Sequence, residues 1–373
     1  MMKTFKLTAK KILSSDIKLS LHALDNLSTL NLFNTIEKTS KHILITDENV
    51  DILYAKKIIE QIEANGYNVL KLIIPPYDKS KNLQEYSRLA DECLNYGFDK
   101  HSVIFSLGGG VVNNIAGFLA STLYRGIGLI HFPTSMLAQV DAAIDFKQAV
   151  NHNQGKNLLG SYYPASQIII DPTVLKTLDR RFIVDGLSES IKHALCQDRP
   201  FYDFLEKNVE NLDDENILLE IIQRSIELKL ELMNDDLEDD FDETIKQYGH
   251  ALGHAIEHLS NGEIYHGEAI AIGMCVSSEI ALLLGLSDER TRDLHYSIFD
   301  KYSLPTVVPK KYSFDNIWNK MKYDKHSLNG KVYTGILQSV GSMALTKSGE
   351  YGHYIEEDLL RQAIDKNQQR IKK

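Results

Sequence analysis

The chain has 373 residues, 43% hydrophobic and 25% charged, with a formal net charge of −10. That length exceeds one compact core and predicts a soluble globular protein of two domains. The acidic balance excludes a general nucleic-acid or membrane-surface binder, so an anionic ligand needs a local basic pocket.

Three cysteines (Cys93, Cys196, Cys275) are scattered with no CxxC pair. They read as reduced thiols of a cytoplasmic protein. The N-terminal MMKTFKLTAKKILSSDIKL lacks the unbroken apolar region of a signal peptide. No apolar run is expected to reach the length of a membrane span.

Residues 1–40 carry little pattern. HILIT at 42–46 is a short β-branched run that predicts a buried parallel strand. It ends at Thr46, Asp47, Glu48 and Asn49, polar groups placed where a strand end meets a ligand crevice. Residues 50–64 have helical spacing, and Asn65-Gly66 ends that helix. A strand at 69–74, a polar loop at 75–81 with Asp78 and Lys81, and a helix at 83–95 follow. A third strand, 103–107, runs straight into Gly108, Gly109 and Gly110. This alternation predicts a doubly wound, Rossmann-like α/β domain. Glycines between a strand and a helix let a pyrophosphate approach the helix N-terminus closely. They serve a tight strand–helix turn equally well, and the run is not GxGxxG. Another strand, 129–132, ends at Pro133, Thr134 and Ser135. Residues 141–157 read as a loop combining Asp141, Lys147, Lys156 and Asn157, either a phosphate clamp or a solvated basic loop. A last strand spans 168–171. Beyond Pro172 helical spacing dominates, which places an α/β domain at 1–172 and a mainly helical one at 173–373.

In the second half, Glu189 and Lys192 share a face of a helix at 186–196. A surface ion pair is the plain reading. A helix at 214–233 carries Lys229. The acidic run NDDLEDDFDE at 234–243 does not fit a calcium loop and reads as solvated. His250 and His254 are four apart on one helix, with Glu257 and His258 beyond, and His266 opens the next helix. Structural histidines are common, but imidazoles on one face with a helical carboxylate elsewhere form a set suited to Zn²⁺. HxxxH without the internal glutamate does not indicate a zinc peptidase. Further helices are expected at 271–285 and 291–302. Trp318 reads as core, and Lys325 and Lys331 flank a turn before the strand-like VYTGIL.

GGGVVNNIAGF, YRGIGLIHFPTSMLAQVD, KQAVNHNQGKNLLG, GLSESIKHAL, YGHALGHAIE and HGEAIAIGM occur in that order. Together they resemble 3-dehydroquinate synthase and its relatives, the sugar phosphate cyclases. The resemblance implies metal ligation by Glu189, His250 and His266, with zinc or cobalt as the metal. It implies a phosphate pocket of Lys147, Asn157, His254 and Lys331, and an Arg125 that reaches the phosphate from a neighbouring subunit of a homodimer. Asp141, Lys192 and Lys229 match substrate-ring positions. NAD positions match Asp47, Asn49, Asp78, Lys81, Gly109, Gly110, Asn114, Thr134, Ser135, Lys156 and Thr177. The reaction so implied oxidises a small-molecule sugar phosphate, eliminates phosphate, reduces the product and closes a carbocycle by aldol addition.

Against dehydroquinate synthase, Glu243 and Gln247 stand where that enzyme has an arginine and an asparagine in the segment before the first metal histidine. An anion there repels a substrate carboxylate. Asn114 and the FKQAVN run resemble 2-deoxy-scyllo-inosose synthase, which takes glucose 6-phosphate. TLDRR resembles the 2-epi-5-epi-valiolone synthase branch, which takes a heptulose 7-phosphate. A metal-dependent polyol dehydrogenase shares the glycine turn and the histidine helix but needs no Lys147–Asn157 phosphate loop. A non-catalytic NAD or sugar-phosphate binder has no use for a full ligand set.

Overall fold

Apolar runs in the N-terminal half become strands because both of their faces are covered. In the computed structural model these are β1 (Asp16–Leu19), β2 (Lys41–Asp47), β3 (Asn68–Ile74), β4 (Val103–Gly108), β5 (Gly128–Pro133) and β8 (Gln167–Ile170). They form one sheet in the order β1-β8-β5-β4-β2-β3, parallel throughout. Every residue of β4 and β8 is buried. The structure describes residues 2–8, 12–153, 155–233, 245, 247–322 and 330–370. The chain divides into two compact units, Met1–Thr134 with Ala142–Asp171, and Ser135–Asp141 with Pro172–Lys373.

In the first unit the chain leaves β2 toward β3 on one side, and β4 lies on the other. The strand order therefore reverses at β2 and β4, the position where open α/β sheets receive ligands beyond the strand ends. Asp47 ends β2 and the glycine turn follows β4. Three expectations need correction. The basic segment is not a loop: Lys147–His152 (β6) and Gly155–Tyr162 (β7) pair antiparallel as a hairpin. Its alternating small and apolar residues satisfy a strand better than a loop. The unpatterned N-terminus supplies β1, whose four residues are too few and too exposed to show a period. The helix at 50–64 is interrupted by a π-helical turn at Asp51–Ala55 before Lys56–Ala64.

The second unit is mainly helical. Helices Arg180–Gln197, Arg199–Lys207, Glu215–Glu231, His250–Ser260, His266–Leu283, Glu289–Lys301, Phe314–Lys322 and Glu357–Gln369 make most of it. Trp318 joins Ile256, Ile272, Ile317 and Ile364 in its core. The expectation about membrane spans also changes. His266–Leu283 is apolar and long enough to cross a membrane by composition, yet 78% of it is buried inside the fold, as in a core helix. Lys325, most of the HSLNG turn and the acidic run at 234–243 lie outside the described residues.

Candidate metal and cofactor sites

The Arg180–Gln197 helix begins where the Asp179 carboxylate accepts from the Arg181 N–H at 2.8 Å. Its next turns carry Glu189 and Lys192 inward, 1% and 3% exposed, with the ammonium donating to Glu189 Oε2. The surface ion pair expected from spacing is a buried one. A close approach makes room for it: a Cβ on Gly186 would meet the Leu137 nitrogen at 2.3 Å. The segment Ser135–Asp141 therefore packs against this helix, and Asp141 meets Lys229 at 2.5 Å.

Two further helices bring the imidazoles. Gly249 (φ +77°) turns the chain into His250–Ser260, and a Cβ on Gly273 would meet the Gly249 carbonyl oxygen at 2.0 Å. Gly253 likewise lies against Ile270, and Gly267 against the Asp185 carbonyl oxygen. Side chains at these points would hold the helices apart. His250 Nε2 lies 3.4 Å and His266 Nε2 3.5 Å from Glu189 Oε1. The ligand-type atoms of the three residues all lie within 4.8 Å of one another. Each imidazole has its other nitrogen engaged, His250 Nδ1 with the Tyr248 carbonyl at 3.1 Å and His266 Nδ1 with Glu257 Oε2 at 3.2 Å. The ring of His254 lies 5.3 Å from that of His250 and 5.9 Å from that of His266, centre to centre.

Burial, followed by the Lys192 charge, lowers His250 to about 4. Burial also opposes a charge on His266, but the facing carboxylates of Glu189 and Glu257 outweigh it and raise this histidine to about 10. Burial works against ionised Glu189, and Lys192 with the two histidines reverses that, holding the carboxyl well below its usual range. For Asp141 burial is again outweighed, here by Lys229. Glu189 Oε1 is buried without a hydrogen-bond partner. An ionised oxygen so placed, faced by two imidazole nitrogens, fits a divalent cation with two nitrogen donors and one oxygen donor.

The first unit holds a separate constellation. A Cβ on Gly108 would meet Val112 at 2.5 Å, so this turn is closed to any side chain. Gly109 then opens the helix Gly110–Thr122 with no side-chain cap, leaving amide donors for an anionic ligand. Buried Lys81 donates to Asn114 Oδ1 at 2.7 Å and also to Asn157 Oδ1. Asp78 Oδ2 meets Lys156 at 3.0 Å and Asn151 Nδ2 at 3.1 Å. The hairpin is thereby tied to the 78–81 loop, so residues expected at the cofactor and at the phosphate sit side by side. Asp47 Oδ1 accepts from the Asn49 and Val50 N–H groups. Such a cradle of glycine turn, free amides, lysine and amides suits a dinucleotide phosphate.

Lys147 lies beside Asp145, 3.7 Å from its carboxylate. Arg125 is exposed, within three successive left-handed residues, Tyr124, Arg125 and Gly126. Lys331 stands over the Tyr354 ring at 5.7 Å. Thr177 bonds the Val174 carbonyl at 3.0 Å, and Thr134 is buried behind β5 with Ser135 half-buried after it. Gln247 is half-buried before the histidine helix, and Glu243 lies outside the described residues. Sequence reasoning assigned no role to Glu257 or Asn151. Glu257 lay in plain sight seven residues after His250, two helical turns on. Asn151 accepts locally from the Asn157 N–H, but its ties to Asp78 and Lys81 lie 73 and 70 positions away in the chain.

Family models of the 3-dehydroquinate synthase N-terminal and C-terminal regions match residues 71–185 and 186–327. A 3-dehydroquinate synthase of Thermoanaerobacter pseudethanolicus is 38% identical over 312 residues, covering 83% of this chain and 87% of that one. A 2-deoxy-scyllo-inosose synthase solved with carbaglucose-6-phosphate, NAD⁺ and Co²⁺ superposes with a TM-score of 0.85 at 27% identity, covering 96% of this chain and 100% of the other. A 2-epi-5-epi-valiolone synthase of Streptomyces hygroscopicus, with NAD⁺ and Zn²⁺ bound, shares the fold at a TM-score of 0.87 and 23% identity, covering 98% and 100% of the two chains.

Proposed function

We propose a reaction for this chain from one premise: it belongs to the 3-dehydroquinate synthase-like family of sugar phosphate cyclases. Its class of reaction converts a sugar phosphate to a carbocycle with loss of phosphate. The observation that carries the reading is the buried Glu189 Oε1 facing His250 Nε2 and His266 Nε2 at 3.4 and 3.5 Å. These three residues hold zinc or cobalt, which when bound polarises a sugar hydroxyl as a Lewis acid. Asp47, Asn49, Asp78, Lys81, Gly109, Gly110, Asn114 and Lys156 hold NAD, which accepts and returns the hydride.

The chain's own groups do the rest. Lys192 keeps a fixed positive charge beside the ligand carboxylate, favouring negative charge on substrate oxygens. The Asp141–Lys229 pair presents an acceptor and donors to ring hydroxyls. For a phosphate, Lys147 and Asn157 of the first unit are the donors, with a neighbouring subunit's Arg125 as a supplement. The C–O bond to phosphate breaks, and charge on the departing group is what these cations stabilise.

For the substrate we favour glucose 6-phosphate, giving 2-deoxy-scyllo-inosose. Gln247 and Glu243 support it, because neither recognises a carboxylate as an arginine does. A second reading, 3-dehydroquinate synthase, is favoured by the 38% identical relative. Purified protein with NAD⁺ and Zn²⁺ or Co²⁺ is expected to release inorganic phosphate from glucose 6-phosphate with no net NADH. Release only from the heptulosonate phosphate would move the assignment to the second reading. Stoichiometric NADH without phosphate release would point to a polyol dehydrogenase.

A further inference from the structure

We propose that Glu257 is a positioning residue of the metal site, holding His266 in the ring orientation and tautomer that turn Nε2 toward Glu189. The inference rests on the metal-site reading above. Glu257 Oε2 lies 3.2 Å from His266 Nδ1, while the opposite ring nitrogen lies 3.5 Å from Glu189 Oε1. When a metal displaces the Nε2 proton, the ring keeps the Nδ1 proton that it donates to Glu257, so the carboxylate selects the tautomer that ligates through Nε2. An ionised acceptor also makes the opposite nitrogen a better donor than a carbonyl partner does. His250 has only such a carbonyl, that of Tyr248.

The backbone of His266 is already fixed by other groups. The Tyr265 N–H donates to Glu268 Oε2 at 2.9 Å, and the Glu268 N–H donates to Asp185 Oδ1 at 3.0 Å. Arg181 clasps both oxygens of Glu268 and stacks on the Tyr265 ring. Ring rotation is therefore the freedom left at His266, and Glu257 limits it. Glu257 stands on the same helix as His250, its side chain 12% exposed. One rigid element thus carries one ligand and steers another.

The test measures Co²⁺ and Zn²⁺ affinity of the full chain by competition with a chelator, together with the visible absorption of the Co²⁺ form. Glu257→Ala is expected to weaken both metals about 10- to 100-fold and to alter the Co²⁺ spectrum. Glu257→Gln, which keeps an acceptor oxygen but not the charge, should fall between Glu257→Ala and the unaltered protein. Unaltered affinity and spectrum in Glu257→Ala would overturn the proposal. If that variant does not fold, unaltered affinity in Glu257→Gln does the same. His266→Ala separates the two readings: retention of full affinity there sinks the metal site itself, whereas its loss beside an unaffected Glu257→Ala sinks only the role of Glu257.

Discussion

Lys192 and Glu189 form an ion pair 3% and 1% exposed. Such a pair is vulnerable to loss of one partner, because the remaining charge has no water to turn to. Lys192→Met is expected to destabilise the metal-free protein by about 3–5 kcal/mol. Excess Zn²⁺ should recover part of that deficit, since a bound cation again neutralises Glu189. Urea unfolding with and without Zn²⁺ measures both quantities, and a deficit indifferent to zinc would count against Glu189 as a ligand. Tyr248 and His295 make a second residue-scale prediction. His295 is fully buried, with Nε2 2.9 Å from the Tyr248 hydroxyl and Nδ1 2.8 Å from the Thr291 carbonyl. Burial pushes its imidazole from 6.5 down to about 4. Folding thus favours the neutral ring. The resulting stability is whole above pH 6.5 and disappears as pH falls through about 4, a loss of about 3 kcal/mol. His295→Gln should flatten that acid limb in unfolding measured across this range; an unchanged slope would refute the assignment.

At the scale of elements, the metal site depends on how closely the His250–Ser260 and His266–Leu283 helices approach. Gly273 touches the Gly249 backbone, where a Cβ would stand 2.0 Å from an oxygen that cannot yield. Gly273→Ala is expected to cost about 3 kcal/mol in stability and to weaken Zn²⁺ binding, because the helices move apart together with their ligands. Gly262→Ala is the comparison. Unlike Gly273 it sits at positive φ, with nothing within 4 Å of the added Cβ. It should cost about 1–2 kcal/mol and leave Zn²⁺ affinity alone. The C-terminal helix Glu357–Gln369 is held by buried Asn367, which accepts from the Val308 N–H and donates to the Tyr296 hydroxyl and the Thr306 carbonyl. Asn367→Ala leaves those groups short of partners and should lower stability by about 1–3 kcal/mol, read from urea unfolding.

For the whole molecule, the proposed cofactor cradle is built from residues of the first unit and the proposed metal ligands from residues of the second. Chelation is therefore expected to stop phosphate release while NAD still binds, as titration of cofactor fluorescence or calorimetry would register. Abolished NAD binding in the chelated protein would mean that the cradle needs the metal. Five of the six strands of the parallel sheet were legible from the sequence because they are short apolar runs set between helical periods, and β1 was not, being short and exposed. In the second unit the helices expected at 186–196, 214–233, 271–285 and 291–302 were legible from their spacing, whereas Arg199–Lys207 was not predicted.

The local pattern of residues determined most element types and the glycine turn after β4, while the choice of Glu189, His250 and His266 as a ligand set came from the family resemblance. Side-chain period is a property of neighbouring residues, so it can be read along the chain. Tertiary structure decided which of those groups meet. It buried the Glu189–Lys192 pair, joined Lys81 to Asn114 and Asn157, folded the basic segment into a hairpin and set Glu257 against His266. Those outcomes depend on how closely separate elements pack, which no single element's pattern states. In the second unit Gly186, Gly267 and Gly273 set how closely the elements pack, and in the sequence they are indistinguishable from glycines that merely turn the chain.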